Sequence, residues 1–144
     1  MMGWVFAKRS TWWGRWLPLL LAMGVIFFVS GQPSVELPNF GLWDFGVKKL
    51  GHFLAYGALN LLALRAVLDG KRPYLMALLI TLAYAMSDEF HQTFIPGRNG
   101  TPVDVIIDML GAFTFLWLVY WRRWVPEALS GQPVLEGASV EDGG

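Results

Sequence analysis

Apolar residues dominate four stretches of the chain, and polar residues gather at the ends of those stretches and in the connections between them. Trp16 to Ser30 carries no charge, and Trp12 and Trp13 extend it with rings that favour a membrane interface. Gly51 to Leu68 is broken only by His52, Asn60 and Arg65. Pro73 to Phe94 is largely apolar as far as Met86, then turns polar through Ser87, Asp88, Glu89, His91 and Gln92. Asp104 to Trp121 holds Asp104 and Asp108 near its start. At about 1.5 Å per residue, each stretch approaches the ~30 Å hydrocarbon core of a bilayer. The pattern predicts an all-α protein, an integral membrane bundle of four transmembrane helices.

Composition agrees. Of 144 residues 55% are apolar and only 15% are charged, with a mean hydropathy of +0.45. A soluble domain carries roughly a quarter charged residues, so this chain has too few to cover itself against water. Eleven basic and eleven acidic residues cancel, which argues against nucleic acid as a partner. The absence of cysteine excludes disulfides, thiolate metal sites and cysteine nucleophiles.

Basic residues set an expected orientation. Lys8, Arg9 and Arg15 precede the first stretch, Lys71 and Arg72 separate the second and third, and Arg122 and Arg123 follow the fourth. Four crossings put all of these on one side, with Arg65 snorkelling toward it, against Lys48, Lys49 and Arg98 on the other. Both termini are therefore expected in the cytoplasm of a bacterial cell. The alternative for the first stretch is a signal peptide with a cleavage-like Val29-Ser30-Gly31. Pro18 is expected in the first helical turn, where a missing N–H costs little.

The short connection Asp69 to Arg72 makes the second and third helices antiparallel neighbours. The outer connection Gly31 to Leu50, with Phe40, Trp43 and Phe45, is expected to lie on the outer membrane surface. Residues 1–124 form the membrane domain. Residues 125–144, rich in glycine and acids, are expected to be a disordered cytoplasmic tail.

That orientation gathers chemistry at one depth. His52, Asp88, Glu89, His91, Gln92, Arg98, Asp104 and Asp108 all fall at the extracytoplasmic end. Ionisable groups cost ~2.5–3.5 kcal/mol each at mid-helix on insertion scales, so they face one another or a wet cavity. Asp88 and His91 share a stripe with Thr81 and Tyr84; Asp104 and Asp108 share one with Gly111 and Ala112; His52 shares one with Tyr56 and Asn60. Gly111 and Ala112 permit close helix approach, and Ala77, Thr81 and Ala85 form a packing stripe. Three polar stripes define a cleft that opens outward.

Simpler roles compete for each residue. Thr101-Pro102-Val103-Asp104 has the form of a capping box, so Asp104 can serve as a cap. Arg98 can pair with Asp88 or Asp104, or clamp a phosphate or carboxylate. Tyr56 and Asn60 can be interhelical hydrogen-bond partners, and Gln92 and His52 solvated interfacial groups. Asp108, a turn deeper, needs a partner such as His52, His91 or Arg98.

The segments His52-Phe53-Leu54-Ala55-Tyr56-Gly57, Ser87-Asp88-Glu89-Phe90-His91-Gln92, Ile95 through Asp104, and Asp108-Met109-Leu110-Gly111 together resemble the VanZ-like family, over about Leu17 to Tyr120. These are small bacterial integral membrane proteins named for one that confers resistance to the lipoglycopeptide teicoplanin. The resemblance implies a multi-span membrane protein of the cell envelope. Asp108 departs from it, standing where the family more often carries asparagine.

Four functions fit these residues. The cleft binds an amphipathic envelope molecule, such as a membrane lipid, a lipid-linked envelope precursor or a lipoglycopeptide. Alternatively, an enzyme acts on a lipid head, with Glu89 or His91 as base, His52 as partner acid, Asp108 in the catalytic cluster and Arg98 as anion clamp. Asp88, Gln92, Asp104 and Tyr56 would then contact substrate. Asp88, His91, His52 and Asp108 also offer N/O ligands for a metal. A proton- or ion-coupled carrier, or a cluster that only knits the helices together, completes the set.

Overall fold

The computed structural model describes residues 11–33, 40–98 and 100–121. Among them are four α-helices and no strand: α1 (Trp12–Ser30), α2 (Asp44–Ala66), α3 (Pro73–Gln92) and α4 (Pro102–Trp121), with a 3-10 turn at Gly41–Trp43 before α2. The expected tail, the basic residues Lys8, Arg9, Arg122 and Arg123, and residues 34–39 of the first outer connection lie outside the described residues.

Two helices start earlier than their apolar runs. The Thr11 hydroxyl caps α1, accepting from the Gly14 N–H at 3.3 Å. This start puts Pro18 inside the helix rather than in its first turn, where its ring removes one backbone hydrogen bond. α2 begins at Asp44 rather than Gly51. Asp44 accepts from the Phe40 N–H at 3.2 Å and pairs one turn on with Lys48 at 2.7 Å, so the helix extends through Lys48 and Lys49, where an apolar-run criterion stops. At α3 and α4, Pro73 and Pro102 occupy the first turn, Pro102 as the sequence predicts.

α2 is the central element, packing most extensively on α4, then on α3 and α1, whereas α1 and α3 scarcely meet. Cross-links fix the directions. Ser30 of α1 meets Asp88 of α3, and His52 of α2 meets Asp108 of α4. At the opposite end Arg15 pairs with Asp69. Consecutive helices are therefore antiparallel. Gly111 provides the closest approach, since a Cβ there would overlap the Phe53 carbonyl group of α2. Next to it the Ala112 carbonyl accepts from Asn60 Nδ2 at 3.2 Å, and Asn60 Oδ1 accepts from Thr81 at 3.1 Å. The small residues of α4 and the packing stripe of α3 thus lie against α2, with Ala77, Thr81 and Ala85 fully buried.

Leu19, Leu59, Ala63, Leu64, Leu116 and Val119 belong to the apolar core. The exterior is equally apolar, with Leu20, Val25, Phe28, Leu79, Ile106, Phe113 and Trp117 all exposed. Asn60, Asp88, Glu89, Gln92, Asp104 and Asp108 are buried instead. Polar groups inside and apolar groups outside suit hydrocarbon as solvent. Of the described helices, α1 and α4 are long and apolar enough to cross a membrane. α2 and α3 were expected to qualify too, but each carries a set of polar residues, of which Tyr56 and Asn60 in α2 and Thr81, Asp88, Glu89 and Gln92 in α3 are buried in the bundle.

Candidate functional site

The C-terminal ends of α1 and α3 and the N-terminal ends of α2 and α4 bring the polar residues to one end of the bundle. Asp88 joins three helices. Its carboxylate accepts from the Ser30 hydroxyl of α1, from the Tyr56 hydroxyl of α2 at 3.1 Å and from Gln92 Nε2 at 3.2 Å. Asp88 is 2% exposed and Tyr56 1%, so these bonds replace all the water that a carboxylate would otherwise hold.

A second group lies between α2, α3 and α4. His52 Nδ1 shares a 3.1 Å hydrogen bond with Asp108 Oδ1. Asp108 is fully buried, and its Oδ2 has no hydrogen-bond partner among the described residues. Glu89 faces the same space, held by the Thr101 N–H on Oε2 at 2.9 Å and by Gln92 Nε2 on Oε1 at 3.3 Å. His52, Glu89 and Asp108 each present one potential ligand atom, and the three atoms lie within 4.8 Å of one another.

Three expectations change. Asp88 and His91 do not join His52 and Asp108 as metal ligands: the Asp88 carboxylate is committed to Ser30, Tyr56 and Gln92, and Glu89 takes the place beside His52. The His91 ring stacks on Phe27 of α1, centroids 4.2 Å apart, with its Nδ1 buried and lacking a hydrogen-bond partner among the described residues. Spacing along one helix could not tell which neighbour each stripe would meet. Asp104 is more than a cap, because its carboxylate pairs with Lys49. The Thr101 hydroxyl accepts from the Asp104 N–H at 3.3 Å as a capping box requires, but Glu89 supplies the reciprocal acid.

Arg98 pairs with neither Asp88 nor Asp104. It donates to Gln92 Oε1 and to the Gln32 carbonyl, each at 3.2 Å, and to the Val29 carbonyl at 3.4 Å. Gln92 therefore links the guanidinium to both Asp88 and Glu89. Burial pulls Arg98 below the usual arginine pKa, while the charges of Asp88 and Glu89 pull the other way; the group stays a cation at any physiological pH.

Three residues, Lys48, Lys49 and Ser30, were missed from the sequence as parts of the site. Lys49 lies three positions before His52 on the same helical stripe, a spacing that identifies it once α2 is extended. Ser30 carries no such signal, since a serine ending an apolar run reads as a boundary.

Beside this network, a cleft of about 350 Å³ lies between α1 and α2. Val25, Ile26, Val29, Phe40 and Ala55 give it apolar walls, and Ser30, Lys48, His52, Tyr56, Asp88 and Arg98 supply its polar groups. Val25 and Val29 are exposed on the outer surface of α1, so the wall is continuous with the bundle's apolar exterior.

Among the described residues the protein is all-helical, with an apolar exterior and a polar interior at one end, an arrangement that suits a membrane protein. More narrowly, the chain belongs to the VanZ/LLP1 family, whose model matches residues 12–123. No curated protein and no solved structure matches it.

Proposed function

We propose that the chain crosses the bacterial cytoplasmic membrane four times with both termini in the cytoplasm, and that the cleft between α1 and α2 binds an amphipathic molecule of the cell envelope from the extracytoplasmic side. The cleft carries this reading: its apolar walls suit an acyl chain, and Lys48 and Arg98 offer cations to an anionic head. Lys48 is near the start of α2 and Arg98 in the α3–α4 turn, so both cations stand at the polar end of the bundle. A membrane lipid, a lipid-linked precursor and a lipoglycopeptide all combine these features, and the last would give a role like that of the teicoplanin-resistance protein for which the family is named.

One observation favours acid/base chemistry on the bound head as a second reading. His52 lines the cleft and is oriented from behind by Asp108, the relationship that prepares an imidazole as a general base. A proton-coupled carrier has less support. Below Asn60 and Thr81 the core residues Ala63, Leu64, Leu116 and Val119 are apolar.

Native mass spectrometry of the full chain released from nanodiscs tests the binding reading. An anionic lipid such as phosphatidylglycerol should remain bound in preference to neutral diacylglycerol. Ala55→Trp, which fills the cleft, and Arg98→Ala should each reduce retention at least fivefold. Equal retention of both lipids by all three proteins would reject it.

A further inference from the structure

We propose that His52, Glu89 and Asp108 form a binding site for one divalent transition-metal ion, held between α2, α3 and α4 at the polar end of the bundle. The first support is convergence: residues from three different helices place an imidazole nitrogen and two carboxylate oxygens within 4.8 Å of one another. Zinc ligands at about 2.0–2.2 Å from the ion stand roughly 3–4 Å apart, so closing on a metal needs side-chain shifts of about an ångström.

Independent support comes from Asp108. It is fully buried, and while Oδ1 meets His52, Oδ2 has no hydrogen-bond partner among the described residues. Hydrogen bonds normally satisfy buried oxygens, and a bare carboxylate oxygen is among the most costly groups to leave alone. A cation would satisfy it. Two carboxylates and a neutral imidazole also match the charge of a dication.

The surroundings hold the ligands as metal sites require. The Thr101 N–H and Gln92 Nε2 fix Glu89, as outer hydrogen bonds orient ligating carboxylates. Lys49 lies near enough to interact electrostatically with both Glu89 and Asp108, but its ammonium is paired with Asp104. An imidazole beside two carboxylates favours the zinc and manganese class, since calcium and magnesium take oxygen ligands. Three protein ligands leave coordination positions for water or for an oxygen of another molecule. His52 lines the cleft, yet the metal site stands on its own residues and does not depend on lipid binding.

The test uses the full chain, purified without a polyhistidine tag, stripped with chelator and held in nanodiscs. Zinc is titrated in competition with a chromophoric chelator, and bound metal is counted by elemental mass spectrometry. One zinc per chain is expected, with affinity at least tenfold weaker in His52→Ala, Glu89→Gln and Asp108→Asn, and unchanged in Asp69→Asn at the opposite end. Zinc should also raise the melting temperature of the parent but not of these three variants. If Asp108→Asn fails to fold, the other two carry the comparison. Zinc below a tenth of an equivalent, unchanged affinity in the ligand variants, or preference for calcium would overturn the proposal. Lipid retention measured on the stripped protein separates the two readings: its loss alone, with zinc binding intact, rejects only the cleft's proposed role.

Discussion

The backbone N–H of Thr101, at the start of α4, donates to Glu89 Oε2 near the end of α3 at 2.9 Å. The acid that completes the α4 capping box is thus supplied by the preceding helix, and Gly100, where a Cβ would overlap the Glu89 carbonyl group, makes the approach possible. Glu89→Gln keeps an acceptor oxygen and should cost under about 1 kcal/mol, whereas Glu89→Ala leaves the amide without a partner and should cost about 1–3 kcal/mol. Thermal unfolding in detergent checks the difference. Equal losses would show that the bond contributes nothing.

Asp88 ties α1 to the rest of the bundle through Ser30, and α2 to α3 through Tyr56. Tyr56→Phe and Ser30→Ala should each destabilise by about 1–3 kcal/mol, because each removes a donor from a buried carboxylate. As both bonds end on Asp88, the double variant should be non-additive by about 0.5 kcal/mol or more in a double-mutant cycle. Additive losses would mean that the two bonds act separately.

Two ion pairs should differ in weight. Arg15–Asp69 is solvent-facing, the Asp69 side chain being 57% exposed, so Asp69→Asn should change stability by less than about 1 kcal/mol. The Asp104 side chain is 10% exposed beside Lys49, so Lys49→Met strands a largely buried charge and should cost about 3 kcal/mol. Chemical unfolding of the two variants side by side makes the comparison.

Gly111 lies where α4 crosses α2, and any side chain would collide with the Phe53 backbone. Gly111→Val should separate the helices and lower stability by about 1–3 kcal/mol or more, with reduced membrane abundance. Gly24, whose Cβ position is open, should accept alanine without loss.

The helices were legible because long apolar runs are local signals. The starts of α1 and α2 were not, since the Thr11 cap and the contacts of Asp44 with Phe40 and Lys48 are not measured by run-length. The gathering of charged residues at one end followed from counting crossings, and the burial of Asp88, Glu89, Gln92, Asp104 and Asp108 agrees with it. Partner choice was only partly legible: His52 was among the partners expected for Asp108 and does meet it, but His91 turned to Phe27 while Glu89 turned toward His52. Adjacent residues on a helix face different neighbours, and only packing decides which.

Cysteine accessibility tests the central claim most directly, and a chain with no cysteine of its own is suited to it. Thr93, exposed just after α3, stands at the polar end of the bundle, and Lys71, exposed between α2 and α3, stands at the opposite end. In intact spheroplasts a membrane-impermeant maleimide should modify Thr93→Cys, and should reach Lys71→Cys only after lysis. Protection of Thr93→Cys together with labelling of Lys71→Cys would put the buried carboxylates at the cytoplasmic face and contradict the account.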